Sequence, residues 1–292
     1  MNLKTNYLKV TGILIIILLG TTTITLFTSH IQYKNPGPYS NSEEWNLVLF
    51  DDFEEDNLNT AIWSYGYPPA SWNCYGKCHN HQGWFAPENV LIEDGILRIK
   101  GENKTHPDAP FDYYWAGDDD NPLPLNYTTG AINSKGKFDF QYGYLEARLR
   151  MPEGPTGFWP AFWTFMSNGS DYSEIDIIEW YSDDGEDNYH TNLHTKDAEE
   201  IDINSTHGHH YGLGNLSKDF HTYGVDWQPD KILFYFDNHL VEKITNQDQL
   251  EHMEYQHIRI NLAIGRGNAA PDENTIWPAW FECDWVKLWQ KI

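Results

Sequence analysis

Three carboxylic acids fall within the segment 173–180, which reads S-E-I-D-I-I-E-W. In an extended strand side chains alternate between faces, so Glu174 and Asp176 share one face while Ile175 and Ile177 share the other. Ile178 and Glu179 then arrive out of phase. One extra residue, a β-bulge at Ile177 or Ile178, returns Glu179 to the acid face and turns Ile178 inward. The backbones of Glu174 and Glu179 are then about four strand steps apart, roughly 13 Å at about 3.3 Å per residue. Side chains leaning together shorten that gap towards the roughly 5–5.5 Å between the carboxyls of a retaining glycosidase, against about 6.5–9.5 Å for an inverting one. Asp176 lies between them and disfavours a second ionised neighbour, so the least solvated acid keeps its proton as general acid while another stays ionised as nucleophile. Three acids on an exposed strand of an acidic chain give the same alternation, which by itself does not choose.

The elements that must hold these acids read as strands. In residues 143–151, Leu145, Ala147, Leu149 and Met151 alternate with Tyr144, Glu146, Arg148 and Arg150, the pattern of a half-buried strand. Short runs recur at 96–100, 159–166, 174–181, 189–195, 232–237, 258–264 and 280–290, punctuated by Gly, Pro, Asn and Asp. The one helical window is 247–254. Many short strands with long loops predict an all-β fold, a two-sheet antiparallel β-sandwich or jelly roll with a concave cleft.

E-I-D-I-I-E at 174–179 resembles the catalytic signature of glycoside hydrolase family 16 in its longer Glu-x-Asp-x-x-Glu form, that of laminarinases, agarases and carrageenases. Three more stretches resemble family segments: G-F-W-P-A-F-W-T-F at 157–165, D-F-H-T-Y-G-V-D-W-Q-P at 219–229 and C-D-W-V-K at 283–287. The likeness runs from about Phe50 to Trp289. It implies that Glu174 is the nucleophile, Glu179 the acid/base, and Asp176 the group that orients Glu174. By alternation Trp159, Ala161, Trp163 and Phe165 share a face, which the resemblance puts in the cleft. Pyranose faces stack on aromatic rings, and the expected substrate-binding residues are Trp159, Trp163, Tyr172, Asn192 and His194, with His190 on the same face as the last two. The resemblance also implies a structural calcium held by Asp284 with main-chain oxygens of Asp52 and Gly95, and no cofactor for catalysis. The expected activity is retaining endo-hydrolysis of a β-1,3- or β-1,3/1,4-glucan. The alternative is a marine galactan of the agar, porphyran or carrageenan type, because Arg266 and the missing Trp after it in I-N-L-A-I-G-R-G-N-A-A (260–270) depart from the glucanase pattern. A binding protein on the same sandwich is the non-enzymatic rival.

The remaining signals concern the chain as a whole. Lys4 and Lys9 precede an apolar run over 10–19, so residues 1–30 are expected to be a signal peptide or an N-terminal anchor, and 31–292 the catalytic domain. The expected location is secreted or extracytoplasmic. Forty-three Asp plus Glu against nineteen Lys plus Arg give a formal charge of −24. That charge repels nucleic acid and anionic lipid, leaving a polysaccharide as the expected partner and the N-terminus as the sole membrane contact of a monomer. Cys74 and Cys78, followed by His79 and His81, are open to a local disulfide, free thiols or zinc. His207, His209 and His210 read as a loop. Asn-x-Ser/Thr sequons occur at Asn103, Asn126, Asn168, Asn204 and Asn215.

Overall fold

The computed structural model describes residues 9–10, 13–14, 44–66, 81–109, 125–167, 171–197, 199, 203–265 and 270–292. Met1–Ser42 and Glu43–Ile292 are separate compact units. In the first, Lys9–Val10 pairs antiparallel with Ile13–Leu14. Among the described residues no helix is long and apolar enough to cross a membrane.

The second unit is built from two eight-stranded antiparallel sheets. One runs, in spatial order, Asn204–His210, Tyr189–Lys196, Tyr172–Glu179, Phe158–Met166, Gln256–Ile264, Ala131–Asn133 and Ser64–Tyr65, with Asp139–Phe140 added beside Gln256–Ile264. The other runs His239–Ile244, Lys231–Phe236, His221–Gln228, Gly143–Arg150, Ala279–Lys291, Ile96–Gly101 and Val90–Glu93, with Trp45–Asp51 also against Ala279–Lys291. The inward faces merge into one core. Phe162, Ile175, Ile178, Ile258 and Ile260 come from the first sheet, and Leu145, Val225, Phe234, Phe281 and Val286 from the second. Alternation decides this partition: on Phe158–Met166, Phe158 and Phe162 join the core while Ala161 and Trp163 pack together on the other face.

Three details differ from the sequence expectation. Asn204–His210 is a strand, not a loop, paired in full register with Tyr189–Lys196. Its sequence N-S-T-H-G-H-H has no apolar alternation, because main-chain ladder bonds and Thr206 Oγ1 donating to Gln249 Oε1 at 2.7 Å hold it to the edge. Gly143–Arg150 is not half-buried throughout. It lies between two long strands, and Tyr144 and Glu146 are buried on the face expected to be exposed, with Tyr144 donating to Glu146 at 2.9 Å. The helix covers only Gln247–Leu250, its first turn capped by Asn246.

Candidate active site

The acids are aligned by a register shift. Along Tyr172–Glu179, Asp176 pairs with Asn192 but Glu179 pairs with His190, so three steps on one strand match two on its neighbour. The opposite neighbour shows the same slip: Phe162 faces Ile178 and Trp163 faces Asp176, leaving Ile177 unmatched. That is a β-bulge at 177–178. Ile175, Ile177 and Ile178 are all buried in the core, so the extra residue lets two adjacent isoleucines face inward and brings Glu179 back to the side of Glu174 and Asp176. All three carboxyls, with Trp159, Trp163 and Asn261, line one cleft.

Each acid has its own surroundings. Tyr172 donates its hydroxyl to Glu174 Oε2. Burial, then the Glu174 charge beside it, pushes the Tyr172 phenol far above its ordinary value, so it stays a donor. Asp176 is 3% exposed, and burial, reinforced by Glu179 and Glu174, raises its carboxyl well above the ordinary range. His194 Nε2 lies 3.3 Å from Asp176 Oδ2, a charge pair without the alignment of a hydrogen bond, and pulls in the other direction. Burial lowers His194, but Asp176 and the two glutamates outweigh it and raise the imidazole to about 9. On its far side His194 Nδ1 meets Ser205 Oγ at 2.6 Å. Glu179 is 8% exposed and its carboxyl is raised first by burial and then by Glu174, against hydrogen bonds from Tyr181 and Trp159. Trp159 Nε1 donates to Glu179 Oε1 at 2.9 Å, and Asn192 Nδ2 donates to Glu179 Oε2. Burial and the Glu174 charge therefore favour a proton on Glu179 against the donors that hold it, while the imidazole of His194 opposes one on Asp176.

The residues expected to touch substrate are brought together, though several hold carboxylates instead of standing open. Trp159 and Asn192 are on Glu179, Tyr172 on Glu174 and His194 on Asp176. Trp163 is 4% exposed; its Nε1 donates to Asn261 Oδ1 at 2.7 Å and Arg259 lies 4.6 Å over its ring. His190 is turned to the rim, with Nε2 2.9 Å from Asp184 Oδ2 and its ring stacked on His209. Reasoning from the sequence missed Tyr181 and Asn261, read His207 as a loop residue and set His81 only beside Cys74 and Cys78. His81 and Asn261 line the cleft, and His207 Nδ1 meets Asn192 Oδ1. Asn261 could have been found by continuing alternation along 256–264; the others depend on register. Among the described residues two groups bring ligand atoms within 4.8 Å of one another, Glu174–Asp176–His194 and Asp184–His190–His209. Each contains one imidazole–carboxylate contact, His194 with Asp176 and His190 with Asp184.

The residues expected to hold calcium lie beside a break between two strands. Trp45–Asp51 and Ile96–Gly101 lie end to end along Ala279–Lys291, with Asp51 opposite Val286 and Leu97 opposite Cys283. Asp52 and Gly95 flank the break between them, opposite 284–285. Oxygen donors from two main-chain carbonyls and a carboxylate suit calcium, and a Cβ on Gly95 would lie 2.8 Å from Glu54 Oε1, a further oxygen at that turn. Asp284 Oδ2 also accepts from Arg148. Cys74, Cys78, His79 and Arg266 lie outside the described residues, and Cys283 is a buried free thiol.

A model of the glycosyl hydrolases family 16 matches residues 85–287. The chain is 28% identical to a glucan endo-1,3-β-glucosidase A1 of Niallia circulans over 84% of its own length and 38% of that protein. It is 26% identical to a κ-carrageenase of Pseudoalteromonas carrageenovora over 76% of its length and 61% of that protein. The chain thus spans well under half of the first relative. The crystal structure of a laminarinase from Flavobacterium sp. UMI-01 superposes with a TM-score of 0.64 at 28% identity, covering 84% of this chain and all of that one.

Proposed function

Because the chain belongs to family 16 of the glycosyl hydrolases, we propose that it cleaves internal β-glycosidic bonds of a β-1,3- or β-1,3/1,4-glucan with retention of configuration. The observation that carries the mechanism is the bulge at 177–178, which sets Glu174 and Glu179 on one cleft wall. Tyr172 occupies Oε2 of Glu174, leaving Oε1 to attack the anomeric carbon from one side of the sugar. Glu179, its proton favoured by burial, protonates the departing oxygen. The bond from Oε1 to the anomeric carbon forms as the glycosidic bond breaks. Glu179, now ionised and held by Trp159 and Asn192, takes a proton from the water that releases the sugar. Asp176 with His194 keeps the floor between the glutamates from carrying a third full charge. Likeness to an endo-1,3-β-glucosidase and a laminarinase supports the glucan.

A second reading rests on Arg259, buried beside Asn261 with its Nε donating to His257 Nε2 at 2.9 Å and its guanidinium 4.6 Å from the Trp163 ring and 4.5 Å from that of Phe165. Such a cation suits a sulfate ester, and the κ-carrageenase likeness points the same way. Reducing-end release on laminarin, lichenan, agarose, porphyran and κ-carrageenan tests both. Laminarin or lichenan cleaved fastest supports the glucan, a galactan cleaved fastest supports the second reading, and no release from any overturns the hydrolase.

Further proposals concern the chain outside the cleft: export with residues 1–30 as signal peptide or anchor, action as a monomer, and calcium at Asp52, Gly95 and Asp284. They are supported by Lys4 and Lys9 before an apolar run, by the −24 charge, and by the register at the gap.

A further inference from the structure

Asn192 reaches Glu179 from the neighbouring strand and is itself gripped from behind. Its Nδ2 donates to Glu179 Oε2, and its Oδ1 lies 2.5 Å from Nδ1 of His207, the residue directly opposite on the edge strand. A carboxamide carries a donor and an acceptor of nearly equal size, so alone it can turn either end to Glu179. With N–H forward it favours the carboxylate; with the oxygen forward it accepts the proton of the carboxylic acid. An imidazole Nδ1–H opposite Oδ1 removes that choice, since a donor must meet an acceptor.

We propose that His207 is a positioning residue: by donating to Asn192 Oδ1 it holds the amide with its N–H on Glu179, and so sets how readily the acid/base releases and regains its proton. This rests on the acid/base reading of Glu179. Burial and nearby His194 favour the neutral form of His207, against Glu242, and a neutral ring protonated on Nδ1 still donates. Around Glu179 the ionisable groups are Glu174 and Asp176 on its own strand, Tyr181 just beyond it and His194 on the next; around His207 they are His194 and Glu242. All of these stay in place when His207 alone is replaced.

The test is the pH profile of kcat/KM for wild type, His207→Ala and His207→Asn on whichever glycan is cleaved. The basic limb reports loss of the proton on the general acid. In His207→Ala the amide is free to turn, and the limb should move up by roughly half to one pH unit, the worth of one hydrogen bond gained by the protonated form. His207→Asn places an amide nitrogen where Nδ1 was, without an ionisable ring, and should restore the wild-type limb. A limb that stays put in His207→Ala, whether or not the rate falls, or one that His207→Asn does not restore, overturns the proposal. If no glycan is cleaved the hydrolase reading fails separately, and nitrogen-15 NMR of wild type still decides the geometry: a proton on Nδ1 of His207 is expected, and an Nε2–H tautomer overturns it.

Discussion

Glu174 is the residue whose removal should matter most. Glu174→Gln keeps the volume and the contact with Tyr172 but cannot form a covalent sugar ester, so turnover should fall by at least about a thousandfold with the melting temperature nearly unchanged. A variant within tenfold of wild type would exclude the assignment. His194 makes a prediction about stability instead. Its folded pKa of about 9 stands above the ordinary 6.5, so the folded state binds its proton more tightly than the unfolded chain does. The resulting stabilisation is complete below about pH 6.5 and is lost as pH rises through about 9. Thermal melts between these limits should show stability falling with pH, and His194→Gln should flatten that part of the curve. An unchanged slope in the variant would place the charge pair with Asp176 elsewhere in the protonation scheme.

At the scale of elements, the bulge carries the stereochemistry. With both glutamates on one wall the product should retain its β configuration, and proton NMR early in hydrolysis should show the β-anomer first. The α-anomer appearing first would mean inversion and would remove Glu174 as nucleophile. The bulge is itself held by burial: Ile178 is fully enclosed in the core. Ile178→Ala should therefore cost about 2–5 kcal/mol of stability, read from denaturant unfolding, because it leaves a cavity under the catalytic strand. A loss below about 1 kcal/mol would show that the core can close over the missing atoms and that the bulge has other support. The edge strand Asn204–His210 shows how the same sheet recruits polar sequence. Pairing with Tyr189–Lys196 sets His207 against Asn192 and Ser205 against His194, so the last strand supports the side chains that touch the acids.

For the whole molecule, the second sheet leaves a break where Trp45–Asp51 ends and Ile96–Gly101 begins, far along the chain from the acids. If calcium sits there it binds the native state, so a chelator should lower the melting temperature and added calcium restore it, with little change in initial rate at a temperature where all forms are folded. Asp284→Asn should be insensitive to both. Equal melting curves for wild type with chelator and with calcium, on protein shown by elemental analysis to be calcium-free, would rule the site out. Magnesium at matched ionic strength serves as control, because a chain of charge −24 is stabilised by any cation that screens it.

What the sequence alone determined is local. Strand alternation is a two-residue period, so the shared face of Glu174 and Asp176, the out-of-phase Ile178 and the bulge it demands were all legible in 173–180, and alternation likewise put Trp159, Ala161, Trp163 and Phe165 on one face. The all-β character followed from the same period repeated along the chain. Register between strands is not a local property: it depends on which strand pairs with which and where each starts. Only the tertiary structure could therefore put Asn192 on Glu179, His207 behind Asn192, and Trp159 across from both. It also made a strand of N-S-T-H-G-H-H, a segment with no apolar period to read, because an edge can be held by main-chain hydrogen bonds and polar side-chain contacts. Burial followed the same division. Tyr144 and Glu146 alternate as exposed residues should, yet lie buried because two long strands flank them, an outcome set by neighbours more than a hundred residues away for one of the two.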